Sequence, residues 1–266
     1  VISMQIRPRV IPVLTLDKNK LVKTVQFQKP NYIGDPINAI RIFNDCDVDE
    51  IALLDITRQL VEPDYKALEQ ICSEAFIPLS YGGGVRNFTQ AQRIFSLGFE
   101  KVILNTGCLD AQKTLSQIAQ VYGSQSAVAC LDFKKNFFGK YSFHTESGSR
   151  NMKLSPGEAA KMVVELGAGE VILQSIDADG MMQGYVLDLI QSVAETVKVP
   201  VIALGGAGKL ADLKLAVQAG AAAVAASSLF VYHGKLKGVL INYPSQAELR
   251  ELLNSASSNN RQSFSR

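Results

Sequence analysis

Two glycine pairs, each followed at the same spacing by a pair of small polar residues, have the clearest capacity for chemistry in this chain. Gly83–Gly84 is followed by Asn105–Thr106, and Gly205–Gly206 is followed by Ser227–Ser228. Because a glycine has no Cβ, its backbone N–H can approach an anion closely, and a helix that starts there adds partial positive charge. Amide and hydroxyl donors could complete a phosphate cradle. The pattern predicts two phosphate-binding sites, and the alternative is that the glycines only allow tight turns.

Four aspartates and one lysine near the ends of apolar runs are further candidates. Asp132 is predicted to be a general acid or base, with a hydrogen-bonded structural carboxylate as the alternative. Asp55, Asp177 and Asp179 are candidates for binding substrate hydroxyls, or for capping the next helix. Lys23 is predicted to lie in an exposed loop, where it could reach a phosphate or be solvated. The chemistry is therefore expected where strands end.

The elements that must position these residues are short apolar runs that alternate with amphipathic helical patterns. Continuous apolar runs are typical of parallel strands covered on both faces, and eight of them favour a closed (βα)8 barrel over an open sheet. The length of 266 residues is close to the roughly 250 of such a barrel. The predicted strands are Arg9–Leu16, Ile51–Ile56, Ile77–Tyr81, Lys101–Asn105, Ala127–Phe133, Val171–Ile176, Val201–Leu204 and Ala222–Ala226.

The two halves of the chain repeat each other. The first glycine pair, Gly98 and the first polar pair recur 122 positions later (83 to 205, 98 to 220, 105 to 227), and Thr15 aligns with Asp132. Such self-similarity predicts two half-barrels of four βα units each. We therefore predict one barrel domain over residues 1–253 and a disordered tail over 254–266, which is rich in serine and asparagine.

Four charged residues precede or begin predicted strands rather than ending them. Arg9, Glu50, Lys101 and Glu170 stand at the starts of the first, second, fourth and sixth strands. They would meet at the N-terminal end of the barrel, where charges usually serve stability. The alternation of sign predicts an ion-pair ring that closes the barrel floor, and a surface salt-bridge cluster is the alternative.

Composition limits the function classes. A net charge of +2 does not indicate a nucleic-acid partner, and the start of the chain does not resemble a signal peptide. No apolar run reaches the roughly 18 residues that a membrane span needs, so a cytoplasmic protein is expected. The four cysteines lack metal-ligand spacing and there are two histidines, so neither a metal nor a cofactor is predicted. An open dinucleotide-binding sheet is disfavoured because the first strand lacks G-x-G-x-x-G.

Several strings taken together resemble one family closely. IPVL, GDPINA, DEIALLDI, YGGGVR, GFEKVILNT, GAGEVIL, SIDADG, GGAG and AASSLF resemble the HisF family, the cyclase subunit of imidazole glycerol phosphate synthase. The resemblance runs from about Arg9 to Val231. It implies a glutaminase partner (HisH-like) at the N-terminal face and ammonia passage through the barrel to a bis-phosphorylated substrate. The implied products are imidazole glycerol phosphate and an aminoimidazole carboxamide ribotide.

The resemblance also implies residue roles. It adds Gly180 to the phosphate-binding residues, makes the four floor charges an ammonia gate, assigns partner docking to Glu100 and makes Asp132 catalytic. Thr15 stands where the family has its other catalytic aspartate, and Gln174, a predicted substrate contact, replaces a smaller hydroxyl residue, as do Met181 and Leu204. Threonine is not a general acid at neutral pH, and losing such a group costs about 10²–10⁴-fold in rate.

A narrower resemblance accounts for the missing carboxylate. The segments LVKTVQFQKPNYIGDPINAIRIFN and VYHGKLKGVLINYPS are similar to a HisF-like subgroup associated with acetamidino modification of bacterial surface sugars. There the barrel and a glutaminase supply ammonia to a separate ATP-dependent amidotransferase. This implies an ammonia conduit. The alternatives are a working cyclase of histidine biosynthesis, using Asp132 and Asp17, and a scaffold that only activates a glutaminase.

Overall fold

The eight predicted strands form the barrel of a computed structural model that describes residues 7–58, 60–105, 112–234 and 236–260. In chain order, the strands are β1 (Arg9–Asp17), β2 (Lys20–Val25), β3 (Gln28–Gly34), β4 (Ile51–Asp55), β5 (Leu79–Gly82), β6 (Lys101–Leu104), β7 (Ala127–Lys135), β8 (Tyr141–Thr145), β9 (Arg150–Asn151), β10 (Glu170–Ser175), β11 (Val201–Leu204), β12 (Ala223–Ala226), β13 (Tyr232–His233) and β14 (Gly238–Val239). The α-helices are α1 (Pro36–Asn44), α2 (Tyr65–Glu74), α3 (Phe88–Ser96), α4 (Gln112–Tyr122), α5 (Pro156–Glu165), α6 (Leu187–Ala194), α7 (Leu210–Gln218), α8 (Ser228–Val231) and α9 (Gln246–Asn260).

The barrel is closed by parallel pairing all the way round. The strands follow the order β1-β4-β5-β6-β7-β10-β11-β12 and return to β1, where Arg9 pairs with Ala223. Helices lie between the parallel strands along the chain, because a parallel pair needs a long crossover connection. The predicted (βα)8 barrel is confirmed.

Each barrel strand has two differently packed faces. On β1, Val10, Leu14 and Leu16 belong to the large apolar layer between strands and helices, whereas Ile11 and Val13 belong to a smaller cluster inside the barrel. Residues therefore face the helices or the bore according to the two-residue period of a strand. Full burial of one such aliphatic side chain contributes about 1.5–3 kcal/mol, so both layers hold the bore in shape.

Two antiparallel hairpins that the sequence analysis did not predict extend the barrel at its C-terminal mouth. β2 and β3 continue β1, and β8 and β9 continue β7. Lys23, expected in an exposed loop, is instead buried in β2, so that expectation is wrong. The turn before β2 consists of Lys18 and Asn19, both at positive φ, and this geometry matches strand twist without the usual Asn-Gly signal.

Helix α9 carries the chain past the barrel. It packs against α7, and Leu249 and Leu253 are fully buried. The helix ends at Asn260, and disorder of the tail over 254–266 stays a prediction. Within the described ranges, none of the helices combines the length and the apolar character needed to cross a bilayer.

Candidate active site

Four charged side chains close the N-terminal end of the barrel. Arg9 bonds Glu50 and Glu170 at 2.5 Å each, and the Lys101 ammonium lies 2.9 Å from the same two carboxylates. Each cation thus bridges both anions, which gives a closed ring of alternating sign. Both glutamates are buried. Burial by itself would lower the pKa of Arg9, but Glu170 and Glu50 together raise that pKa above its ordinary value. The expected ring is present; its role as a gate stays a prediction. We call these four residues the floor ring.

Above the floor ring the bore is narrow and apolar. A cavity lined by Ile11, Val13, Ile103, Ile172 and Ala225, among others, reaches down to Glu50 and Glu170 of the ring. The space that is open to the centre of a water-sized molecule there is about 10 Å³. A cavity of this size holds about one water molecule, so ammonia, which is similar in size, also fits.

Asp132 marks the upper end of the bore. It follows Val128 and Cys130 on the bore face of β7, and Asn105 donates a 2.9 Å hydrogen bond to its carboxylate. Burial raises the pKa of Asp132 to about 7, because the donors Asn105 and Cys130 offset only part of the desolvation. A carboxyl group that titrates near neutral pH can both take up and release a proton, as acid/base catalysis requires.

Thr15 belongs to the same level of the bore. It continues the series Ile11 and Val13 on β1 and is 7% exposed. A threonine therefore occupies a buried, bore-facing position where the family resemblance expects a carboxylate. Asp17 lies two residues further along, roughly 7 Å in an extended strand, and pairs with Lys20 across the hairpin. Burial raises the pKa of Asp55, and the nearby charge of Asp17 adds to that rise.

The second glycine pair lies in a cavity with the residues predicted to join it. The space that is open to the centre of a water-sized molecule in this cavity is about 20 Å³. The cavity is lined by Lys23, Asp179, Gly180, Leu204, Gly205, Gly206, Ala207, Ala226, Ser227 and Ser228. Gly206 has a φ of +110°, and a Cβ there would overlap the Gly184 carbonyl oxygen. The Ser228 hydroxyl is buried and finds no hydrogen-bond partner within the described ranges. We call this cavity the second-half cradle; its phosphate binding stays a prediction.

Lys23 reaches the second-half cradle from the β2–β3 hairpin. Its ammonium lies 2.9 Å from Asp179, and the Thr24 hydroxyl donates to the other carboxylate oxygen at 3.0 Å. Both ends of the ion pair are buried, and Gln26 donates its backbone N–H to the Asp179 carbonyl. Asp179 therefore fastens the first hairpin over the loop after β10. Thr24 and Gln26 are parts of this site that sequence reasoning missed, because the hairpin itself was not predicted.

The first-half residues are arranged differently. Gly83, at a φ of +132°, packs against the Asp55 carbonyl, and Gly84 packs against Leu60. Asn105 points to Asp132 and to the Cys130 carbonyl in the bore. Thr106, the remaining predicted phosphate contact, lies outside the described residues. The two halves therefore share a sequence pattern but not one arrangement of side chains.

The remaining predicted residues divide between the mouth, the loops and the floor. Gln174 is the Cα partner of Asp132 and lies beside it at the mouth. Asp55 accepts the Thr57 N–H and so fixes its own loop, and Asp177 accepts the Lys135 N–H at 2.7 Å and so joins the loop after β10 to the end of β7. Glu100 is exposed directly before Lys101, on the floor side. The described residues contain no group of three potential metal ligands.

Comparison with known proteins identifies the class to which this barrel belongs. A family model described as a histidine biosynthesis protein matches residues 9–237. The chain belongs to this family and, within it, to the HisF-type subunits of imidazole glycerol phosphate synthase.

Individual relatives match over most of their length. A Pseudomonas aeruginosa protein provisionally named imidazole glycerol phosphate synthase subunit hisF2 is 50% identical over 242 residues, 90% of this chain and 96% of its own. A Vibrio vulnificus protein provisionally named subunit hisF3 is 46% identical over 93% of this chain and 97% of its own. The imidazole glycerol phosphate synthase subunit HisF of Streptomyces griseus is 38% identical over 85% and 91%.

Proposed function

We propose that this chain is the ammonia-receiving barrel of a glutaminase-coupled synthase. A HisH-like glutaminase docks at the floor side, where Glu100 is exposed, and ammonia passes the floor ring and the bore to the mouth. The observation that carries this proposal is the unbroken series of bore-facing side chains from the floor ring to Asp132, with free volume for one small molecule. The Arg9 side chain is 30% exposed and the Lys101 side chain 14%, so both cations of the gate are partly accessible to solvent.

The ammonia serves amidination of a surface-polysaccharide sugar through a separate ATP-dependent amidotransferase. Thr15 supports this assignment because ring closure needs an acid and a base, and a threonine occupies the buried bore position where the family resemblance expects the second carboxylate. A conduit needs the floor ring and the bore, both of which are intact, but it does not need two carboxylates.

The second-half cradle supports binding of a phosphorylated small molecule. Gly205 and Gly206 lie at the end of β11, the unpartnered Ser228 hydroxyl offers a donor, and the Lys23 ammonium lines the cavity as a further donor although Asp179 balances its charge. A phosphate group would satisfy that buried hydroxyl, since charge-assisted hydrogen bonds to an anion are among the strong ones. In a conduit, such a ligand would regulate or position rather than react.

A bore-blocking substitution tests the conduit. Ala225 is 1% exposed and faces the bore, so Ala225→Leu fills the free volume, whereas Val224→Leu adds bulk on the helix side as a matched control. Sugar amidination by the complete system is measured with glutamine and separately with ammonium salt as nitrogen source. Ala225→Leu should lose only the glutamine-dependent reaction. Unchanged glutamine-dependent amidination would refute the conduit and favour the scaffold.

A working cyclase is the alternative function, and the near-neutral pKa of Asp132 favours it. Formation of imidazole glycerol phosphate from the ribulosyl bis-phosphate substrate distinguishes the two. We expect slow turnover by the natural chain and a gain of up to about 10²-fold for Thr15→Asp, which restores the second carboxylate. Family-like turnover by the unsubstituted chain would instead assign it to histidine biosynthesis.

A further inference from the structure

The hairpin that continues β7 rises above the rim of the barrel. Phe133 is the last residue of β7 that pairs with β10, and beyond it Lys134 and Lys135 pair only with Ser142 and Tyr141 of β8. Residues 134–140 are all exposed. Asp132 lies on the same strand, and an extended strand advances about 3.3 Å per residue, so the end of the hairpin lies roughly 15 Å beyond the mouth.

Two phenylalanine rings are held at the end of this hairpin. Phe137 is 98% exposed and Phe138 is 84% exposed, and their ring centroids lie 5.8 Å apart at an interplanar angle of 85°. The turn is fixed by hydrogen bonds from Asn136 N–H to the Lys140 carbonyl (2.8 Å) and from Lys140 N–H to the Asn136 side chain (2.9 Å). We call residues 136–140 the mouth tip. The backbone that presents the two rings is therefore fixed, which lowers the backbone entropy that binding has to overcome.

The charged side chains of the hairpin itself are all positive, and one neighbouring carboxylate, Asp177, lies against its backbone at Lys135. Lys134, Lys135 and Lys140 are exposed beside the rings, and residues 133–145 contain no aspartate or glutamate. Aromatic anchors with a charged rim are the composition of protein interfaces, in which the rings enter a pocket and the rim steers the approach. The complementary surface is therefore an apolar pocket with an acidic rim.

We propose that the mouth tip docks the enzyme that consumes the ammonia, through an acidic-rimmed apolar pocket on that enzyme. This inference rests on the proposed function, because ammonia leaves the bore at Asp132, on the same strand. An enzyme held by the mouth tip would lie over that exit and receive ammonia before it reaches bulk water. The docking site is at the opposite end of the barrel from the floor ring, so both partners can bind at once.

The first measurement is direct binding of the purified ATP-dependent amidotransferase, without glutaminase or glutamine. The double variant Phe137→Ser/Phe138→Ser should weaken binding roughly 100-fold or more, since each lost ring removes a buried apolar contact. Phe76→Ser is the matched control, because that ring is 89% exposed in the loop before β5, at the other end of the barrel. Lys134→Gln/Lys140→Gln should slow association and reduce its salt dependence.

Several outcomes would overturn this inference. Equal binding by the double variant and Phe76→Ser means that the mouth tip is not the docking site. Binding of the chain alone to vesicles containing anionic phospholipid, lost in the double variant, would make it a membrane contact. A concentration-dependent dimer of the chain that the double variant abolishes would make it a self-association site. Failure of the conduit alone has a different signature: Ala225→Leu would leave glutamine-dependent amidination intact while the double variant still lost binding.

Discussion

Replacing Asp132 with asparagine should stabilise the protein, and the gain should depend on pH. Burial raises the pKa of Asp132 from the ordinary 3.8 to about 7. Between these two pH values the native chain holds a proton that the unfolded chain has released, so stability falls as pH rises through this window. Each pH unit is worth about 1.4 kcal/mol, so Asp132 lowers the free energy of unfolding by about 4 kcal/mol above pH 7 relative to its value below pH 4.

Asparagine has the same shape as aspartate but does not ionise, so Asp132→Asn removes the fall in the free energy of unfolding that occurs as pH rises. Its side-chain oxygen can still accept the hydrogen bond from Asn105. We expect the gain in unfolding free energy to be greater at pH 8 than at pH 5 by roughly 3 kcal/mol, since most of the window lies between these values.

Urea unfolding of the natural chain and of Asp132→Asn at both pH values gives this difference directly, and changes in packing cancel between them. An equal gain at pH 5 and pH 8 would refute the reasoning, because it would mean that the carboxyl group already ionises in the fold at the lower pH. A destabilising charge retained at the mouth is expected of a residue kept for function rather than for stability.

Three further substitutions test other parts of the site. Asp179→Asn leaves the buried Lys23 ammonium without its counter-charge, so it should lower the free energy of unfolding by about 3–5 kcal/mol at pH 7. This effect is opposite in sign to that of Asp132→Asn. A neutral effect in urea unfolding would contradict the buried pair. Lys101→Met leaves the two floor-ring glutamates with one shared cation, so it should lower the free energy of unfolding by about 3 kcal/mol. Urea unfolding measures this change as well, and an unchanged midpoint would mean that water screens the ring. Gly206→Ala should abolish binding of inorganic phosphate in calorimetry, since its Cβ would overlap the Gly184 carbonyl; binding equal to that of the natural chain would show that the second-half cradle is not the phosphate site.

The barrel and the floor ring were predictable because both depend on positions along strands. Each barrel strand is a continuous apolar run, and charges at the starts of parallel strands meet at one end whatever the loops do. The second-half cradle followed from glycines and hydroxyls that end adjacent strands, β11 and β12. These patterns can be seen along the sequence, and the order of the strands in the barrel brings their residues close together.

The hairpins and the orientation of individual carboxylates were not predictable in this way. Lys18–Asn19 form the turn between β1 and β2, and Gln26–Phe27 form the turn between β2 and β3. These four residues adopt positive φ because the pairing of the strands stabilises it. The burial of Lys23 depends on Asp179, more than 150 positions away. Asp55 bonds an amide two residues away and Asp177 bonds one on β7, and only the fold shows which backbone amides these carboxylates meet.

Closure of the barrel through β1 and β12 has a consequence for synthesis of the chain. Arg9 and Ala223 are more than two hundred positions apart, so the outer edge of β1 has no parallel partner until nearly the whole chain has been made. At about 10 residues per second, that edge is available to other chains for roughly 20 s. An unpaired apolar strand edge is a template for aggregation. Shortened chains that end before β12 should therefore accumulate as insoluble or domain-swapped material, and the yield of soluble protein should depend on chaperones that cover β1 during translation.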